Sequence, residues 1–169
     1  MIDPLEAVLL RAEIDAVLAD WAWHLDHGDY AAVAGLFTED ALFVTGAVEL
    51  RGRPAIENRY TERKVARSTR HTYSGLRVSA ADGGPVSGGP VFGSPAPGAG
   101  RDPDARPARV RALSTWVNYA VNGPVPVDDV GVYLVADFHD VLTRCDDSQW
   151  RISERRIIPV FRDPSRAPA

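Results

Sequence analysis

Apolar residues recur at Ile14, Leu18, Trp21 and Leu25, the 3.6-residue period of a helix that buries one face. Upstream, Asp3 can cap, Pro4 suits the first helical position, and Glu6 sits where a capping box wants an acid. The period stops at Asp26-His27-Gly28-Asp29, where Gly28 suits a helix C-cap and Asp29 a new N-cap. Residues 30–37 then predict a second, short helix. Residues 41–45 and 48–50 are short strand candidates around Gly46, and Arg53-Pro54 opens a third helix running to about Val65 or Arg67. Beyond it the period changes from helix to strand. Residues 70–78, 109–120, 130–143 and 150–160 are long segments rich in β-branched and aromatic residues, with Asp146-Asp147-Ser148 as a hairpin turn between the last two. Alternation along the first of these puts His71, Tyr73 and Gly75 on one face and Thr72, Ser74 and Leu76 on the other.

Helices first and long strands afterwards predict an α+β fold. Strands that follow one another without crossover helices cannot pair in parallel, so they should form an antiparallel meander with the helices covering one face. A strongly twisted sheet curling over those helices leaves a concave interior, the usual place for a small ligand. The stretch 83–107 interrupts the strands with 7 of the 14 glycines and 6 of the 13 prolines. Such a composition predicts an exposed, flexible hairpin insertion, with a lid over a pocket as the alternative.

Length and composition then narrow the classes. The 169 residues predict one domain, spanning 1–169, and 45% hydrophobic with 25% charged residues is ordinary for a globular chain. A formal net charge of -4 argues against a nucleic-acid partner, which calls for a basic stripe. Cys145, the single cysteine, can build neither an internal disulfide nor a thiolate zinc site. Its neighbours Asp146 and Asp147 would raise a thiol pKa, so a nucleophilic role is not expected. A reducing cytoplasm is the simplest location. The first residues carry no basic-then-apolar secretory pattern, and the longest apolar run, 130–136, is far short of the ~20 residues of a membrane span.

The chain has no Gly-x-Ser-x-Gly elbow, phosphate loop, dinucleotide fingerprint or paired-cysteine site, which leaves acid–base chemistry by His, Asp and Tyr. One cluster is Trp23-His24-Leu25-Asp26-His27. A carboxylate at a helix C-terminus faces the negative end of the dipole, and burial would raise the Asp26 pKa further until it found a partner. Asp26 is then either a general base held by a donor or a residue of a solvated turn. His24 and His27 beside it form no convincing metal set, and no cofactor is expected. The second cluster is Arg70-His71-Thr72-Tyr73, where a histidine and a tyrosine on one inner face would put a proton shuttle beside a hydroxyl donor. Trp21, Trp23, Phe43, Trp116 and Phe138 would line or pack beneath an apolar pocket. Arg155 and Arg156 alternate in facing, so at most one points inward, and surface ion pairs are the expected role of both.

His24-Leu25-Asp26-His27-Gly28-Asp29-Tyr30, Leu36-Phe37-Thr38-Glu39-Asp40-Ala41, Gly52-Arg53-Pro54-Ala55-Ile56, Arg70-His71 and Trp150-Arg151-Ile152 with Arg155-Arg156 together carry a family resemblance. The chain resembles SnoaL-like proteins of the nuclear-transport-factor-2-like superfamily, nearest to the branch of scytalone dehydratase and ring-hydroxylating dioxygenase small subunits. The resemblance implies a curved sheet wrapped around helices as a cone-like α+β barrel. It also implies that Asp26 and His71 match the dehydratase's paired pocket aspartate and histidine. Two positions depart from that pattern. Leu25 stands where the dehydratase has a tyrosine, and residues 109–120 lack its second histidine, leaving Ser114, Trp116 or Asn118 on that face. Tyr60, Tyr73, Tyr119 and Tyr133 are candidates for the missing hydroxyl. The expectation is a cofactor-independent dehydratase, isomerase or cyclase acting on a small, largely apolar, oxygenated natural-product-like substrate through an Asp–His dyad. Its catalytic residues would be Asp26, His71 and Tyr73, with Trp23, Tyr60, Trp116, Asn118 and Tyr133 around the substrate. The alternative is a non-catalytic subunit or ligand-binding accessory of the same fold. Residues 132–138 are apolar on both faces, which together with the resemblance predicts a homodimer.

Overall fold

The computed structural model describes residues 4–62, 65–81, 108–128 and 130–168. The Asp3 cap and the 83–107 insertion lie outside the described residues. Helix α1, Pro4–His27, buries Leu10, Ile14, Val17, Leu18, Trp21, Ala22 and Leu25, one continuous stripe. It stops at Gly28, whose φ of +79° a residue with a Cβ rarely adopts. Asp29 caps α2, Tyr30–Gly35, by accepting from the Ala32 amide at 3.1 Å. Helix α3, Arg53–Thr61, starts on Pro54 and ends sooner than its polar sequence suggests, with Ile56 and Tyr60 as its buried residues.

The strands are β1 (Phe37–Thr45), β2 (Val48–Arg51), β3 (Arg67–Ala80), β4 (Arg109–Asn122), β5 (Val132–Arg144) and β6 (Trp150–Arg162). They form one sheet in the order β2-β1-β6-β5-β4-β3, open at β2 and β3 rather than closed as a barrel. Strands β3 to β6 are the expected antiparallel meander. The first strand corrects the wholly antiparallel expectation, because β1 runs parallel to β6, with Phe43 opposite Arg155. No tight turn joins these two strands, which lie far apart along the chain, so hairpin geometry does not dictate their direction. β1 also begins at Phe37, four residues earlier than its apolar pattern suggests, since Glu39 and Asp40 are exposed at a break in register between Phe37 and Leu42.

A second correction concerns β3. The pairing with β4 shifts between Ser74 and Arg77, where Gly75 has a φ of +66°. This bulge resets the alternation, so Leu76 is buried on the core side instead of facing outward with Thr72 and Ser74. Above the sheet, α1 packs chiefly on β3. The core between them includes Trp21, Trp116, Phe37, Phe43, Phe138 and Ile152.

Arg155 is the third correction, being wholly buried rather than a surface residue. Its Nε and Nη2 donate to the two Asp140 oxygens at 2.8 Å each, across the β5–β6 register that sets these residues opposite one another. Its guanidinium lies 4.3 Å from the Trp21 ring centroid and 5.0 Å from that of Phe138. Arg156 behaves as expected and pairs with Glu154 at 2.6 Å.

Candidate active site

The stripe that buries Trp21 and Leu25 brings the last turn of α1 down onto β3, and Asp26 arrives beside Thr69 and His71. The Asp26 carboxylate receives three donors: the His71 amide at 2.7 Å on Oδ2, and the Thr69 hydroxyl at 2.7 Å and His71 Nδ1 at 2.6 Å on Oδ1. Both side chains of the pair are 6% exposed. Burial works to raise the Asp26 pKa, but the His71 hydrogen bond and charge, with the Thr69 and backbone bonds, outweigh it and hold the carboxyl below its ordinary value. The expected upward shift is therefore corrected. An ionised carboxylate accepts only, so it keeps the proton of a neutral His71 on Nδ1 and leaves the Nε2 lone pair free for chemistry.

His71 lines a cavity of about 110 Å³. Trp21, Trp116 and Phe138 form its apolar wall, and Tyr60, Asn118, Tyr133, Arg59 and Arg67 add polar groups. Trp21 meets His71 edge-on at 5.4 Å, and Trp116 stacks on Phe138 at 4.9 Å. Trp21 Nε1 and Asn118 Oδ1 are buried without hydrogen-bond partners among the described residues. Ser114 is buried and accepts from Trp116 Nε1 at 2.7 Å, so its oxygen is already occupied. Pro168 also edges the cavity, held by a tail whose Arg166 and Ala167 carbonyls accept from Arg67 and Asn122.

The cavity thus gathers His71, Tyr60, Trp116, Asn118 and Tyr133, and Asp26 stands directly behind His71. Two expected residues are elsewhere. Trp23 is 65% exposed and stacks on His27 at 4.0 Å, because two helical steps from buried Trp21 carry it to the opposite face. Tyr73 stacks on Trp116 but turns its hydroxyl to the Asp15 carboxylate at 2.8 Å. Burial and that carboxylate both raise its pKa, which makes it a tether between β3 and α1 rather than a donor to the cavity. His24 approaches Asp29 while His27 Nδ1 faces the Trp23 carbonyl, so neither converges with Asp26 on one point. Thr69 escapes a reading of the sequence, although its place two residues before His71 puts it on the same face. Arg155 and the unpartnered Trp21 nitrogen have no comparable signal in the chain.

An open, curved α+β sheet with a buried Asp–His pair at one end of its concave cavity defines the class of cone-shaped small-ligand folds. Within it, the SnoaL-like domain family matches residues 6–89, just under half of the chain, and the chain is similar to that family, whose domains bind small-molecule ligands. Among curated proteins none matches the chain in sequence. ActVI-ORFA from Streptomyces coelicolor superposes with a TM-score of 0.67 at 20% identity, over 89% of this chain and 97% of that one. A scytalone-dehydratase-like protein from Novosphingobium aromaticivorans gives 0.67 at 17%, over 92% and 87%. A protein from Catenulispora acidiphila gives 0.68 at 21%, over 92% and 94%. At these identities the likeness is one of fold. No helix among the described residues is long and apolar enough to cross a membrane.

Proposed function

We propose that this protein is a cofactor-independent acid–base enzyme, a dehydratase, isomerase or cyclase acting on a small, oxygenated, polyketide-like or aromatic substrate. The observation that carries the reading is the triply bonded Asp26 carboxylate behind a histidine that opens on an apolar cavity. His71 Nε2 removes a proton from carbon next to a carbonyl, and the ionised Asp26 balances the imidazolium that forms. The electrons of that C–H bond move onto the carbonyl oxygen as an enolate. Trp21 Nε1, without a partner among the described residues, and the Tyr60 and Tyr133 side chains on the same wall are the donors that stabilise it. Return of the proton to a different carbon isomerises the double bond, its delivery to a departing hydroxyl releases water, and attack of the enolate carbon on a second carbonyl closes a ring.

The test needs no knowledge of the substrate. A panel of β-hydroxy ketones and aromatic ketones of one and two rings, with and without a carboxylate, is incubated in D2O, and deuterium uptake next to the carbonyl is followed by NMR. His71→Ala and Asp26→Asn should each slow uptake by about 10²–10⁴-fold while circular dichroism stays unchanged. Rates that match the parent protein in either variant would sink the mechanism. We also propose a homodimer, supported by Ile158, Val160 and Phe161, a run of exposed apolar side chains at the end of β6.

A further inference from the structure

The charges around the cavity are one-sided. Two guanidinium groups, Arg59 and Arg67, line it, and no carboxylate among the described residues does. This runs against the chain as a whole, whose net charge is -4. Arg67 is engaged with the Asn122 side chain and the Arg166 carbonyl. Arg59 is different. Its guanidinium lies 5.8 Å from the centre of the Phe43 ring, on the cavity wall, and it makes no ion pair among the described residues. Arg59 is exposed, and a solvent-facing cation at the edge of a small apolar hollow draws anions toward it through an attraction that salt screens. Two of the lining side chains each have a buried atom without a hydrogen-bond partner among the described residues, the acceptor Asn118 Oδ1 and the donor Trp21 Nε1. They match a hydroxyl or a carbonyl on the ring of a ligand. The volume of about 110 Å³ is close to that of a cavity that encloses a single benzene ring and is well below a drug-sized site.

Building on the acid–base reading of this cavity, we propose that its substrate is a single-ring, oxygenated carboxylic acid. The ring lies against the apolar wall that Trp21, Trp116 and Phe138 form, and the carboxylate remains at Arg59, which selects it. Arg59 is then a specificity residue, and a polycyclic neutral substrate is a poor fit.

The experiment compares 2-hydroxybenzoate with its neutral counterpart 2-hydroxybenzyl alcohol, by titration calorimetry and by the NMR shifts of the Trp21 indole and His71 ring. The parent protein should bind the acid at least about tenfold more tightly, the discrimination of one hydrogen bond to a charged group. That ratio should shrink as salt is raised, fall to near unity in Arg59→Gln, and recover in part in Arg59→Lys. Equal binding of the two probes, failure of both to bind, or a ratio that survives Arg59→Gln would each overturn the assignment. Deuterium uptake separates this proposal from the one beneath it. No acid preference, with uptake still lost in His71→Ala, rejects the carboxylate and leaves the acid–base site standing. A preference that depends on Arg59, with uptake indifferent to His71→Ala, keeps the carboxylate site and rejects the catalytic role.

Discussion

A carboxylate that collects three donors can hold a histidine in one tautomer only while it stays ionised. At Asp26 burial pushes the pKa up, but the hydrogen bonds and the His71 charge overcome it, so the folded pKa lies below the ordinary 3.8. A depressed acid pKa contributes stability that is fully present above the unfolded value and is lost as pH falls through the folded one. The parent protein should therefore lose stability relative to Asp26→Asn as pH drops below about 4, measured as the urea midpoint at neutral pH and at successive acid points. A gap between the two proteins that stays constant through that range would contradict the coupling. Thr69→Val removes one of the three donors and should move the Asp26 pKa upward, read by a carboxyl ¹³C titration, at a cost of about 1 kcal/mol. These residues are only partly legible in the sequence. The types at 26 and 71 are plain in the chain, but their pairing enters through the family resemblance, and the Tyr73 hydroxyl points away from the cavity that its strand face suggests. Alternation tells which face a side chain leaves from, not which neighbour its far end meets.

At the level of elements, β3 and β6 carry the features that simple periodicity misses. Gly75 sits at a φ of +66°, and a Cβ added there would meet nothing within 4 Å, so Gly75→Ala makes no clash and costs only backbone strain. A loss of about 1–2 kcal/mol in chemical unfolding is expected, with no change in the cavity-facing residues. The β5–β6 pair is held at one point by the buried Asp140–Arg155 bridge. Asp140→Ala leaves a guanidinium in the core without its counter-charge and should cost about 3–5 kcal/mol, whereas Asp140→Leu combined with Arg155→Met should cost much less. If the single and double variants unfold at the same urea concentration, the bridge is not what holds the strands. Neither feature follows from local pattern. A bulge depends on how the neighbouring strand pairs, and a buried arginine is tolerable only because the register sets Asp140 opposite it.

For the molecule as a whole, the cavity faces the concave side while Ile158 (39%), Val160 (50%) and Phe161 (69%) remain exposed at the end of β6. If that strip joins two copies, light scattering on a sizing column should give the dimer mass, and Phe161→Asp should return the monomer with the NMR shifts of His71 unchanged. A clean monomer from the parent protein would remove the dimer from the picture. The site itself draws on α1, α3, β1 and β3 to β6 together with the C-terminal tail, so its shape is a property of the complete sheet.

The sequence alone determined what depends on near neighbours. The stripe of α1, the turn at Gly28, the hairpin at Asp146-Asp147-Ser148 and the long meander of β-branched strands all follow from periodicity and turn chemistry, which act over a few residues. The α+β class follows from their order. Tertiary structure decided which distant groups meet. It turned β1 parallel to β6, drew Asp26 to a histidine 45 residues away, put Arg155 beneath Trp21, and left Arg59 unbalanced at the cavity. Those outcomes rest on sheet register, a bulge and the seating of one helix. Each is settled by packing between elements, which no window along the chain contains.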